Sequence, residues 1–162
     1  MGGKVGDVIT TLLFAVGATL LVAGAVMIVF GRDGRHQVRR ELADQEIVFP
    51  AAGDLPDGLV GHAGERVVSG ELAKAYAELI GVHVAKATAG RTYAQIAGEW
   101  QASGRADERL AKLRETAFMG QTLRGSLLGA YQAWQITTLT IGLGALLGAI
   151  GVVFVALGVT GL

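Results

Sequence analysis

The chain has 162 residues, with 14 basic and 14 acidic side chains and no formal net charge. That balance, with no Lys/Arg block of five or more, argues against a nucleic-acid-binding arm, and the lack of cysteine excludes disulfides, thiolate metal sites and a cysteine nucleophile. Half of the residues (51%) are hydrophobic and only 17% are charged, and the 25 glycines are about twice what an average usage of ~7% gives.

Residues 8–30, VITTLLFAVGATLLVAGAVMIVF, carry no charge. At about 1.5 Å per residue such a run is long enough to cross a hydrocarbon core of about 30 Å. It has no polar face of the kind a core helix of that length in a globular protein needs. The Ala23-Gly24-Ala25 triplet is cleavage-site-like, but the apolar run continues past it and outlasts a signal-peptide core, so the expectation is an uncleaved transmembrane helix. A second uncharged run, 136–159, has the same reading.

Between the runs lies a segment, 31–135, that holds all three histidines, both prolines and nearly all the charge. It reads as one mostly helical, membrane-proximal domain of about 100 residues. Residues 35–46 place Val38 and Leu42 on one face and continue the first span as a helical stalk. Ile47, Val48 and Phe49 read as extended, because Pro50 disfavours the helical region for Phe49. Residues 51–64 hold the Pro56-Asp57-Gly58 turn signal and read as a loop.

Ser69 is the expected N-cap of a helix over 70–87, with Leu72, Ala75, Tyr76, Leu79, Val82 and His83 on its inner stripe. Thr92 and Gln95 match a capping box that opens a short helix, with Tyr93, Ile96, Ala97 and Trp100 inward and Ser103-Gly104 as its end. From about Asp107 a helix runs into the second span. Its positions Leu110, Leu113, Ala117, Gly120, Arg124, Leu127, Tyr131 and Trp134 alternate three and four apart, the spacing of a coiled-coil seam. The expected partner is the stalk. Counting back from the spans puts Arg124 level with Leu42, so it either pairs with Glu41, Asp44 or Glu46 or snorkels to lipid headgroups beside Tyr131 and Trp134.

Small residues mark the expected helix contacts. Gly144 and Gly148 form a GxxxG motif, Gly151 and Gly158 continue its stripe, and Gly125 and Gly129 form a second pair. Gly17 and Gly24, like Ala18 and Ala25, are seven apart in the first span. The contacted helix is either the other span or another copy. Thr137, Thr138 and Thr140 either line a water path or bond the carbonyl one turn back.

Chemistry-bearing patterns are sparse. His36, His62 and His83 have no metal-ligand spacing, Glu65, Glu71, Glu78 and Glu99 are dispersed along solvated faces, and no nucleophile elbow, phosphate loop or dinucleotide fingerprint occurs. His83 reads as a core histidine. His62, in the glycine-rich loop, is the best single candidate for a functional one. No catalytic residue, cofactor or metal is assigned. Arg32, Arg35, Arg39 and Arg40 form a juxtamembrane cluster suited to anionic headgroups at about 1 kcal/mol each, and by the positive-inside rule they favour a cytoplasmic domain.

The segments ELADQEIVFP (41–50), SGELAKAYAELIGVHV (69–84), RTYAQIAGEW (91–100) and LRETAFMGQTLRGSLLGAYQAW (113–134) resemble a group of uncharacterised actinobacterial membrane proteins with two spans around a domain of this size. Some of those proteins carry an aromatic ring-opening dioxygenase label; such chemistry needs metal ligands, and no usable set is visible here. Members often place basic residues at their termini, which implies an extracytoplasmic domain, opposite to the local arginine count. The carboxyl-terminal stretch of this sequence is uncharged and departs from that pattern.

The expected fold is therefore an all-α membrane protein: two transmembrane helices, at 8–30 and 136–159, flanking a helical domain. The expected role is a non-enzymatic assembly, scaffold or accessory subunit of the cell membrane. Its partners are the lipid bilayer and either further copies of itself or a larger membrane complex, not nucleic acid. A small channel or transport subunit is the alternative, and a membrane-tethered enzyme comes third.

Overall fold

In the computed structural model the chain is helical almost throughout: α1 is Gly2–Asp44, α2 Gly70–Thr88, α3 Tyr93–Ala102 and α4 Glu108–Thr160, with no strand among the described residues, 2–160. Side chains are described from Gly6 onward, so Lys4, the only basic residue before the first apolar run, lies outside them. Two helices, α1 and α4, are long and apolar enough to cross a membrane. The chain divides into two compact units: α1 as far as Gln37 with α4 from Trp134 onward, and Val38–Ala133.

In the first unit α1 and α4 run antiparallel. Thr10, Thr11 and Thr19 donate their hydroxyls to the carbonyls four residues back, at 2.8–2.9 Å, which lets polar residues sit in an apolar helix. Neither Gly31 nor Gly34 interrupts α1. Glycine costs a helix up to about 1 kcal/mol relative to alanine, but Gly31 is buried, and a Cβ there would lie 2.6 Å from Ile141 Cγ1. Close packing supplies what intrinsic propensity lacks.

The second unit packs α2 and α3 against the segments of the long helices that it contains. Its core holds Leu42, Phe49, Leu55, Leu59, Val67, Leu72, Leu79 and Leu127. The extended residues Ile47 to Phe49 find a partner: Phe49 N–H donates to Glu65 O at 2.9 Å and Val67 N–H to Ile47 O at 2.9 Å, around an antiparallel bridge of Val48 with Arg66. Residues 51–64 are not an open loop; they wind into two 3-10 turns, Ala52–Asp54 and Asp57–His62, that bury Leu55 and Leu59.

Helix ends follow local chemistry. Ser69 Oγ accepts from Leu72 N–H at 3.3 Å. Thr92 and Gln95 form a reciprocal capping box, and Asp107 Oδ1 caps α4 through Leu110 N–H at 3.0 Å. Ala89 and Gly90, at φ 54° and 78°, end α2 in a left-handed turn in which Gly90 N–H reaches Ala85 O.

Two sequence expectations about this unit are corrected. The inner stripe of α2 is right at Leu72, Ala75, Tyr76 and Leu79 but not at its end: Val82 and His83 are exposed, whereas Ala73 and Ala77, which the spacing left out, are fully buried. Alanines here let neighbouring elements approach α2 closely. And the 3–4 seam of α4 does face inward, but at Gly120, Arg124 and Tyr131 its partner is α2, not the stalk. A Cβ on Gly120 would overlap Val84, Arg124 lies on Gly81, and Lys74 Nζ sits 5.4 Å from the Tyr131 ring centre.

Candidate functional site: a glycine seam and an arginine clamp

Within the first unit every seventh residue of α1 from Gly17 (Gly17, Gly24, Gly31) and every seventh residue of α4 from Thr137 (Thr137, Gly144, Gly151, Gly158) is buried. A period of seven keeps one face of each helix toward the other. The approach is backbone to backbone. A Cβ on Gly24 would come within 2.5 Å of Gly144 O, one on Gly151 within 2.8 Å of Gly17 O, and one on Gly158 within 2.9 Å of Phe14 N. Small residues give the dispersion contact that holds helices together where no hydrophobic driving force acts between them.

Of the glycines singled out in the sequence, Gly144, Gly151 and Gly158 therefore contact α1 of the same chain. Gly148 flanks the seam: its own Cβ would meet nothing within 4 Å, although a Cβ on Gly24 would lie 2.9 Å from Gly148 N. Gly125 and Gly129 are exposed, and a Cβ on either would meet nothing within 4 Å, so they make no helix contact in this fold. Gly31 extends the seam one residue past the first uncharged run, and Thr137 opens it near the start of the second. The common period of seven signals both.

Arg35 closes one end of the seam. Its Nε donates to Thr137 Oγ1 at 3.4 Å, an Nη donates to Thr138 Oγ1, and the guanidinium carbon lies 4.5 Å from the Trp134 ring centre. The two threonine hydroxyls in turn donate to Trp134 O, at 2.7 and 3.0 Å. Thr140 does the same to Ile136 O at 2.9 Å. Arg35 is thus turned onto α4 and away from the expected headgroup cluster, while Arg32, Arg39 and Arg40 remain exposed. Charged hydrogen bonds to two hydroxyls plus a cation–π contact are worth about 1–3 kcal/mol together at a partly exposed site. Replacing Arg35 by Ala is expected to shift Trp134 emission, read in a Trp100→Phe background. Arg35→Lys is expected to shift it nearly as far, because an ammonium cannot span both hydroxyls and stack on the indole.

The Arg124 ion pair does not form. Its guanidinium carbon is 3.5 Å from a Cβ built on Gly81, its Nε is buried without a hydrogen-bond partner, and it joins no ion pair among the described residues. The flat guanidinium lies across α2 at Gly81, where a Cβ would meet it in ordinary van der Waals contact. Asp44 and Glu41 are exposed. Elsewhere His62 pairs with Glu65 at 2.8 Å and Arg91 with Glu99 at 2.6 Å. His62 also stacks on Phe49, 5.3 Å between ring centres, so the loop histidine pins a turn over the core. Among the described residues no three His, Asp or Glu side chains gather as a metal site.

No family model, curated protein or solved structure matches the chain.

Proposed function

We propose that this protein is an integral membrane protein in which α1 and α4 cross the bilayer as a helical hairpin and hold the helical unit Val38–Ala133 at the surface. In that role it serves as a non-enzymatic assembly, scaffold or accessory subunit. One observation carries the reading. The two helices meet through glycine backbones and turn their large apolar side chains outward: Val22, Val29, Phe30, Ile136, Leu139 and Val159 are 63–72% exposed. In water a continuous surface of that kind is an aggregation liability, whereas lipid is its natural solvent.

The seam is used within the chain, so assembly with further copies or with a larger membrane complex falls to the outer faces of the hairpin and to the surface unit. The exposed Arg32, Arg39 and Arg40 suit anionic headgroups where the hairpin leaves the bilayer. A channel role has less support, because the hydroxyls of Thr137, Thr138 and Thr140 are spent on carbonyls one turn back.

Alkaline carbonate is expected to leave the protein in the membrane pellet, and purification is expected to require detergent; release into carbonate would overturn the reading. The chain has no cysteine, so Gly58→Cys and Gly2→Cys can each be challenged with an impermeant thiol reagent. A Cβ at Gly58 meets nothing within 4 Å. Labelling at one position and not the other fixes the side of the surface unit; for two crossings with the unit between them, the two positions are expected to differ.

A further inference from the structure

Tyr93 meets Phe118 and Trp100 meets Arg114, so α3 and α4 run antiparallel where they pack. Along this contact lies an open cleft of about 480 Å³, lined by Tyr93, Ala111, Lys112, Arg114, Glu115 and Phe118. Its size lies in the range of roughly 300–1,000 Å³ typical of small-molecule sites. Ala111, Arg114 and Phe118 are three and four residues apart, so one face of α4 forms a wall of the cleft. Tyr93 enters from the first position of α3, directly after its Thr92 cap.

Core packing does not account for this lining. Tyr93, expected inward from its spacing, is 40% exposed and Phe118 is 58% exposed, and their rings lie 5.9 Å apart between centres. The guanidinium carbon of Arg114 lies 3.9 Å from the Trp100 ring centre, and that of Arg105 lies 5.7 Å from the same ring. Stacking occupies the face of the Arg114 guanidinium and leaves its N–H edge for a planar acceptor. Among the described residues Lys112, Arg114 and Glu115 join no ion pair, and Glu99 of α3 is taken by Arg91 at 2.6 Å. The lining thus sets two cations against one carboxylate, and Arg105 adds positive charge behind them. The other acids nearby are Asp107, whose Oδ1 accepts from Leu110 N–H, and the exposed Glu108, one turn before Lys112.

We propose that this cleft binds a small aromatic monocarboxylate, its ring against Tyr93 and Phe118 and its carboxylate on Arg114, with Lys112 beside it. Each part of the ligand answers one part of the lining. A flat ring gains an edge or offset contact with two exposed aromatic side chains. A carboxylate accepts two parallel N–H bonds from a guanidinium that the indole already holds in place, so little side-chain freedom is lost on binding. A neutral aromatic leaves that N–H edge without an anion, and an aromatic amine brings like charge to Arg114 and Lys112. Trp100 is outside the lining and acts as a positioning residue for Arg114. The inference stands on the cleft alone and does not depend on the bilayer reading.

The test uses the full chain in phosphatidylcholine nanodiscs with its two tryptophans labelled at the indole nitrogen and its isoleucines at the methyls, titrated at neutral pH with benzoate, benzyl alcohol, benzylamine and cyclohexanecarboxylate. Trp100 Nε1 is buried without a hydrogen-bond partner, so its resonance reports changes in the Arg114 stack, and Trp134, in the other unit, serves as the control for solvent and lipid effects. Benzoate is expected to shift the Trp100 signal saturably and leave Trp134 in place, with benzyl alcohol and benzylamine shifting it far less at equal concentration and cyclohexanecarboxylate binding several-fold more weakly. Arg114→Gln is expected to weaken benzoate by about tenfold, the loss of one charge-assisted pair, and Arg114→Lys by about threefold. Phe118→Ala, at an exposed site, is expected to weaken benzoate by about threefold and cyclohexanecarboxylate less. The fully buried Ile96 reports folding, and its methyl signals are expected to stay in place in all three variants. An unsaturable response to benzoate, equal binding of benzyl alcohol or cyclohexanecarboxylate, or benzoate binding indifferent to Arg114→Gln and Phe118→Ala would each overturn the proposal.

Discussion

Replacing Gly24 by leucine is expected to separate α1 from α4 along the whole seam, while Gly148→Ala leaves the pair intact. At position 24 even a methyl group would stand 2.5 Å from Gly144 O and 2.9 Å from Gly148 N, and both obstacles are backbone. A flexible side chain can swing away; a helix backbone can only translate. Helices are stiff, so the translation is felt at the neighbouring contacts of Gly17 with Gly151 and of Gly31 with Ile141. Overpacking of a tight interior costs about 1–3 kcal/mol and occasionally more, and this site belongs at the upper end because no local relaxation is open to it. Gly148 sits one turn from the same contact, yet its own Cβ would meet nothing within 4 Å, so alanine there recovers helix propensity without strain. Spin labels at the exposed positions Thr19 and Val153 report the outcome as an electron–electron distance distribution in nanodiscs. Gly24→Leu should lengthen and broaden it and Gly148→Ala should not. An unchanged distribution in Gly24→Leu would mean that the seam does not set the helix pairing.

The contrast between those two glycines shows where the sequence is informative and where it stops. Two long apolar helices are legible from length and missing charge alone, and Ser69, Thr92 and Gln95 announce their caps because capping is a local reaction of a side chain with its own backbone. The stripe of Gly144, Gly151 and Gly158 is legible too, since a period of seven is a property of one helix. What a face touches is not local. Spacing makes Gly125 and Gly129 look equivalent to Gly144, and only the fold shows them exposed. The α2 stripe is legible only in part for a related reason. Ala73 and Ala77 carry little hydrophobic signal, yet their smallness is what lets other elements close on them, so a pattern that counts bulky residues finds Leu72, Tyr76 and Leu79 but runs on to the exposed Val82 and His83. Arg124 followed: without knowing that Gly81 offers a shelf, the acidic stalk is the natural partner to expect. The pairing of residues 47–49 with 65–67 crosses the two 3-10 turns, and no local signal specifies it.

Phe49→Ala is expected to unfold the surface unit while the hairpin seam survives. Phe49 is 2% exposed and is among the largest fully buried side chains described. Its ring meets Tyr76 of α2 edge-on, 5.1 Å between centres and 76° between planes, and the tilted His62 ring at 5.3 Å. Its backbone is held as well, donating to Glu65 O and accepting from Gly64 N–H at 3.2 Å. One side chain thus ties the end of α1, the two 3-10 turns and α2 into a single core. Truncating a buried phenylalanine costs about 3–5 kcal/mol, a large part of the roughly 5–15 kcal/mol that a domain of this size possesses. The seam shares none of these contacts, because it is made of residues 14–31 and 137–158 packed on each other. Amide hydrogen exchange is therefore expected to accelerate across 47–67 and α2, by factors of hundreds or more on the free-energy scale of that truncation, with little change at Gly17, Gly24, Gly144 and Gly151. Phe49→Leu, which keeps most of the apolar volume, should lose well under half as much. Equal acceleration in both units of Phe49→Ala would show that they fold as one, and the description of the chain as two compact bodies would have to be given up.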